Sequence, residues 1–203
     1  MTGTDRAATP QPVERQLWLV RHGETEWARL GRHTGRTDIP LNERGQAQAV
    51  GLGDRLRGQS FALVLTSPLS RAADTARLGG FGDVAVVDND LREWDYGDVE
   101  GMRTDEIRER HPGWTIWRGP WSGGETIDDV AARADRVLAR ARDINGDVLL
   151  FSHGHLLRVL AARWLALAPA AGGMWALSTA TISLLGWERE APVIERWNEA
   201  CGT

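Results

Sequence analysis

At 203 residues, 42% hydrophobic and 26% charged, the chain is long enough for one domain with a sizeable core and short for two. A formal net charge of −4 and a sequence pI near 5.8 argue against a general nucleic-acid binder, which would be basic. A single cysteine, Cys201, excludes an internal disulfide and a cysteine-built zinc site.

Residues 1–14 hold Thr, Pro, Gln and Asp but no apolar signal-peptide core, so they read as a flexible tail ahead of a single domain over 15–203. Leu17-Trp18-Leu19-Val20 then ends abruptly in Arg21-His22-Gly23. Four apolar residues predict a buried strand of a parallel sheet, and its carboxyl end is where ligands bind in open α/β sheets. Gly23 allows a sharp turn close to a ligand. Arg beside imidazole there suits an anion, most naturally phosphate. Three residues alone carry little weight, because a strand end running into a surface turn reads the same way.

The stretch from Trp27 to Asp38 reads as a loop. Asn42 caps a helix whose Ala49, Leu52, Gly53 and Leu56 share a face, and that helix returns the chain to a second strand, Phe61 to Leu65. Ser67-Pro68 then reads as a helix start, with Arg71 in or beside the first turn, where anions are welcome. In an ordinary helix Arg71 would pair with Asp74 instead. Val84 to Val87 is a short strand, followed by an acidic loop carrying Glu93, Asp95 and Tyr96. From about 93 to 124 the chain is rich in Trp and Arg and reads as a small inserted cap. It has a helix over Thr104 to Arg110, with Trp114, Trp117 and Trp121 packing it down and Arg118 the candidate to reach a ligand's far end.

Thr126 opens a capped helix ending near Asn145-Gly146. A third strand, Asp147 to Phe151, delivers Ser152-His153-Gly154-His155, and a helix follows through Trp164. Thr181 to Leu185 and Val193 to Trp197 predict an edge hairpin. The apolar stretch from Leu156 to Leu177 is too interrupted to span a bilayer. The expected architecture is α/β: a three-layer αβα fold with a mostly parallel sheet, an edge hairpin and the cap. Its strand ends would gather Arg21, His22, Arg71 and His153. With no Lys in the chain, an anion must be met by guanidinium, imidazole or backbone N–H. His153 and His155 at i, i+2 would share a strand face like a metal pair, but no carboxylate triad accompanies them.

The motifs LVRHGETEW, TSPLSRAADTA, LREWDYGDVEG, GGET and FSHGH, in that order from Leu17 to Trp187, resemble the histidine phosphatase superfamily, the phosphoglycerate mutase-like enzymes. The pattern is nearest to their broad acid phosphatase and sugar-bisphosphatase members. The resemblance implies a phosphomonoester hydrolase with His22 as covalent nucleophile, and Arg21, Arg71 and His153 on the phosphate. Glu93 would be the proton donor, and Thr34, Gly35, Tyr96, Gly154 and Arg118 would bind substrate. It implies no metal and no cofactor. The expected partner is a small phosphorylated substrate, not nucleic acid or membrane, in a cytoplasmic protein; a homodimer is left open. The family often has Asn where His155 stands. Two alternatives remain: mutase-type phosphoryl transfer, and a non-catalytic phospho-ligand binder. The family's mutases carry an Asn, a Lys and an Arg pair where this chain has Ala28, Thr104 and the Trp117-Arg118 stretch. All five catalytic matches are present, which disfavours the binder.

Overall fold

The computed structural model describes residues 15–120 and 122–200; the tail expected over 1–14, Trp121 and Cys201 lie outside them. The elements are β1 (Leu17–Arg21), α1 (Glu26–Arg29), α2 (Glu43–Leu56), β2 (Leu63–Thr66), α3 (Ser70–Ala76), β3 (Val86–Val87), α4 (Thr104–Arg110), α5 (Ile127–Arg142), β4 (Val148–Ser152), α6 (Gly154–Trp164), β5 (Thr181–Glu188) and β6 (Ala191–Ala200). The strands form one sheet in the order β3-β2-β4-β1-β5-β6. Its first four strands run parallel, and β5 and β6 form the antiparallel hairpin at one edge.

Strand side chains alternate between two cores. Leu17, Leu19, Leu65, Val148 and Leu150 pack on α5 and α6 through Val130, Val137, Leu138, Leu156 and Leu160. Trp18, Val20, Val64, Leu149 and Phe151 pack on the other side, against Leu52 and Leu56 of α2 and Ala76 of α3. The result is the expected αβα layering. The apolar sheet burial supplies the dominant stabilisation, roughly 1.5–3 kcal/mol for each large side chain removed from water.

Local chemistry sets most helix starts. Asn42 Oδ1 accepts from Gly45 N at 2.8 Å. Thr126 and Asp129 form a reciprocal capping box. Three details differ from expectation. The predicted loop after β1 contains α1, capped by Thr25, whose Oγ1 accepts from Ala28 N. Ser67-Pro68 does not open α3, which begins at Ser70 after Leu69; the Ser67 hydroxyl accepts from Leu69 N at 3.3 Å and also meets His153. After α3 the chain continues through a π-helical turn, Arg77–Phe81, with Gly80 at φ 88°.

Between Glu93 and α5 lie a 3₁₀ turn (Gly97–Val99), α4 at its expected place, and a turn bridging Thr115 to Gly119. Trp94, Ile107, Trp114 and Ile116 from this stretch are buried. Among the described residues no helix is long and apolar enough to cross a membrane. The sheet's outer strands differ in length. β3 has two residues; β6 has ten, with Pro192, Glu195, Arg196 and Glu199 along it and register shifts against β5.

The turn after β1 meets α2 backbone to backbone. A Cβ on Gly23 would lie 2.4 Å from Gly45 O, and one on Gly45 would lie 2.0 Å from Glu24 O. Neither space admits a methyl group. Gly51, further along the same helix, has nothing within 4 Å of its Cβ position. Gly45→Ala is therefore expected to destabilise by about 1–3 kcal/mol through overpacking. Gly51→Ala is expected to be neutral or stabilising by up to about 1 kcal/mol through helix propensity. Denaturant midpoints of the two variants check this; equal effects would refute the close contact.

Candidate active site

Parallel pairing sets Arg21 opposite Ser152, so His22 and His153 leave the sheet as neighbours. Their rings lie 5.1 Å apart, tilted by 60°. His22 N donates to Ser152 O at 3.0 Å, carrying the ladder one bond further. Its Nδ1 lies 2.7 Å from Gly23 O. A carbonyl only accepts, so Nδ1 holds the proton and Nε2 keeps its lone pair. His153 is the opposite tautomer. Its Nδ1 accepts from Arg71 Nε at 3.2 Å, and its Nε2–H faces Ser67 Oγ at 2.8 Å.

Arg71 is fully buried. Besides His153 it donates to Thr37 O (3.0 Å), Thr34 O (3.1 Å) and Gly35 O (2.9 Å). The Asp74 pairing goes to Arg77 instead. Thr75 ties α3 to the turn after β1: its Oγ1 accepts from Gly23 N at 3.0 Å and donates to Arg71 O at 2.6 Å. Arg21 donates from Nη1 to Leu177 O, while its Nε is buried without a partner among the described residues. A buried open donor costs about 1–3 kcal/mol, which an arriving anion would recover. Gly154 makes room for this guanidinium, since a Cβ there would lie 3.2 Å from Arg21 Cζ.

Glu93 sits at the N-terminus of α6. Its Oε1 accepts from Trp94 N (2.9 Å) and Leu156 N (3.0 Å), and its Oε2 from His155 N (3.1 Å). Two of those amides are unpaired first-turn donors of the helix, the ordinary place for an anion. Backbone amides, rather than the neighbouring Trp94 ring, hold this carboxyl group.

Burial dominates the electrostatics. It holds the His22 imidazole well below the ordinary histidine value, helped by Arg21 and then Arg71 and opposed by the Gly23 bond. Burial does the same at His153, with Arg71, His22 and Arg21 adding to it. It also holds down His155, helped by Arg158. The Tyr96 phenol is pushed well above its usual value by burial and then by Glu93. Near neutral pH the site thus offers neutral imidazoles between two guanidinium cations. A neutral ring with a free Nε2 can attack an electrophile whose negative charge the guanidinium groups meet.

The expected substrate-binding residues fall differently. Thr34 and Gly35 turn their carbonyls to Arg71, and Gly35 N donates to Glu100, so both help to hold Arg71. The Tyr96 hydroxyl shares a 2.6 Å hydrogen bond with His155 Nδ1. His153 and His155 do not share a strand face, because β4 ends at Ser152 and the chain turns into α6 at Gly154. Among the described residues no group of three or more His, Cys, Asp or Glu could hold a metal ion. Arg118 is exposed in the Thr115–Gly119 turn. Arg158 lies instead against the neighbouring rings, 4.6 Å over Trp117, with Nε on Gly172 O. Around His155, whose N–H meets Glu93, the chain builds an aromatic wall: His33 lies 4.9 Å from Tyr96 and 5.4 Å from Trp114, and Trp117 lies 5.3 Å from His155. Ser67, Thr75, Arg158 and His33 carried no local sequence signal for these roles.

Residues 17–200 match the family model described as "Histidine phosphatase superfamily (branch 1)". The chain is 42% identical over 178 residues to an acid phosphatase of Mycobacterium tuberculosis, covering 85% of this chain and 87% of that one. It is 36% identical over 181 residues to the sedoheptulose 1,7-bisphosphatase of Saccharomyces cerevisiae, covering 73% and 67%. The solved structure of an open reading frame from Mycobacterium tuberculosis superposes with a TM-score of 0.88 at 38% identity, over 93% of this chain and 99% of that one.

The histidine shifts have a stability consequence. Unfolded histidines titrate near pH 6.5, whereas His22, His153 and His155 lie well below that, and burial holds His33 at about 4. Below about pH 6.5 the unfolded chain binds more protons than the folded one. Stability should therefore be fully present above that pH and fall progressively as pH drops, with the His33 share spent near pH 4. Thermal melts between about pH 8 and 4.5 check this, and a Tm that stays level across that range would contradict it.

Proposed function

The chain belongs to the histidine phosphatase superfamily, and on that footing we propose that it hydrolyses monoesters of small phosphorylated metabolites through a phosphohistidine on His22. The observation that carries the proposal is the locked His22 tautomer, with Nδ1 on Gly23 O and Nε2 free, beside the unpartnered Nε of Arg21. His22 Nε2 attacks phosphorus as the bond to the ester oxygen breaks. The ring then carries phosphate on Nε2 and its proton on Nδ1, still held by Gly23. Arg21 Nε–H, the buried charge of Arg71 and the Nε2–H of His153, once it turns from Ser67 Oγ, meet the charge on the equatorial oxygens. Glu93 gives a proton to the departing alkoxide, then takes one from the water that cleaves phosphohistidine. The protein's own cations supply the charge stabilisation, so the reaction requires no metal. The setting is the cytoplasm, where such metabolites are made.

Hydrolysis fits the distal wall better than mutase chemistry. A mutase must hold the second acidic group of a phosphoglycerate while the intermediate reorients. Here Thr104 Oγ1 is engaged with His33 Nε2 at 3.2 Å, Arg36 with Asp95, and Arg32 with Gly101 O. The Arg158 guanidinium lies face-on over Trp117. Neutral rings there favour uncharged leaving groups.

A phosphate-release screen over sugar phosphates, phosphoglycerates and nucleotides should show turnover that His22→Ala removes while keeping the wild-type melt. Rapid quench should trap acid-labile, base-stable phosphate on wild-type protein. Full activity in the alanine variant would refute the nucleophile. With 3-phosphoglycerate and bisphosphoglycerate, phosphorus NMR should show phosphate release outpacing 2-phosphoglycerate formation; the reverse order would make the protein a mutase.

A further inference from the structure

Glu93 lies on a stretch without strand or α-helix, between the short 3₁₀ turns Asn89–Leu91 and Gly97–Val99. Its backbone must be held from outside, and from α5 one side chain grips that backbone directly. Arg133, with only 12% of its side chain exposed, grips Glu125 in a two-pronged ion pair, Nε to Oε1 at 2.7 Å and Nη2 to Oε2 at 2.8 Å. Its Nη1 donates to Asp90 O at 2.7 Å and to Arg92 O at 2.9 Å, and Nη2 lies 3.4 Å from Glu93 O. Glu125 Oε2 also accepts from Asp95 N at 3.0 Å. The chain is therefore clamped before, at and after Glu93. Arg136 and Arg140, on the following turns of α5, pair with Asp90 and Asp88 at far more exposed positions.

We propose that Arg133 is a positioning residue for the acid–base step. It touches no reacting group. It fixes the 90–95 backbone so that the Glu93 carboxyl stays at the start of α6, on the side of the site. The inference rests on the assignment of Glu93 as acid and base. Only a planar fork meets a carboxylate and several carbonyls at once; a Lys ammonium is a single point of charge. Without the fork, three carbonyls and a carboxylate lose their donor, and the loop can drift. A misplacement of about 1 Å can cost about 10²-fold in rate.

The test separates positioning from mere fold support. Wild type, R133K, R133Q and E93Q are compared by kcat/KM, which reports the ester-cleaving step and not the later hydrolysis of phosphohistidine, on an alkyl phosphate, whose leaving group needs a proton, and on 4-nitrophenyl phosphate, whose leaving group does not. R133Q should lose about tenfold or more in kcat/KM on the alkyl ester and about twofold or less on the nitrophenyl ester. R133K should shift the same way by less. R133Q combined with E93Q should be no slower on the alkyl ester than E93Q alone. R136Q, which loses only a surface pair, should match wild type. Equal slowing of both esters by R133Q or R133K, or additive loss in the double variant, would overturn the proposal. If R133Q does not fold, R133K carries the comparison. A wild type that releases phosphate from neither ester would overturn the hydrolase reading itself. An E93Q that slows both esters equally would overturn the acid assignment, and the role of Arg133 with it.

Discussion

The register of β1 against β4 is the constraint on which the site depends. Leu17 to Arg21 pair residue for residue with Val148 to Ser152, and β2 pairs with the other side of β4 so that Thr66 faces Phe151. Three strands thus end side by side, with His22 opposite His153 and Ser67 one residue short of them, opposite Ser152. The apolar alternation fixes that alignment. A slip of one residue would turn Leu17 and Leu19 away from α5 and α6 and send Trp18 and Val20 into their place. The site geometry therefore inherits its precision from the core.

The second organising fact is the burial of Arg71. Taking a guanidinium out of water costs several kcal/mol even after relaxation. Three loop carbonyls and the His153 ring offset that cost. The same cations and the same burial lower the basicity of His22. An arrangement suited to an anion thereby keeps the neighbouring imidazole unprotonated and reactive, with no separate device for each task.

Much of this was legible because it is local. Strands ending in Arg-His-Gly and Ser-His-Gly, the Asn42 cap, the Thr126–Asp129 box and the α4 segment are written in consecutive residues. What escaped depends on partners far along the chain. Ser67 before Pro68 looks like a helix cap, yet its hydroxyl meets His153, 86 residues on. Arg133 is one of several arginines on the polar side of α5, and its grip on the Glu93 segment reaches back 40 residues. Arg118 drew attention because it stands among tryptophans, while Arg158, on a helix otherwise rich in buried apolar residues, is the one that covers Trp117. The i, i+2 spacing of His153 and His155 says nothing of a shared face, because the turn into α6 at Gly154 comes between them. Thr34 and Gly35 lie near the site as expected, but their carbonyls, which no side-chain pattern reveals, do the binding.

The unequal outer strands bear on how the molecule behaves at high concentration. An open sheet offers its last strand as a template for another chain. At one side only Val86 and Val87 are in strand, so the exposed valines there sit on a ladder too short to recruit a neighbour in register. At the other, β6 is long, but Pro192 removes a donor, the register shifts distort the ladder, and Glu195, Arg196 and Glu199 place charge along it. Each boundary is blunted by a different means, and the sheet ends without inviting polymerisation.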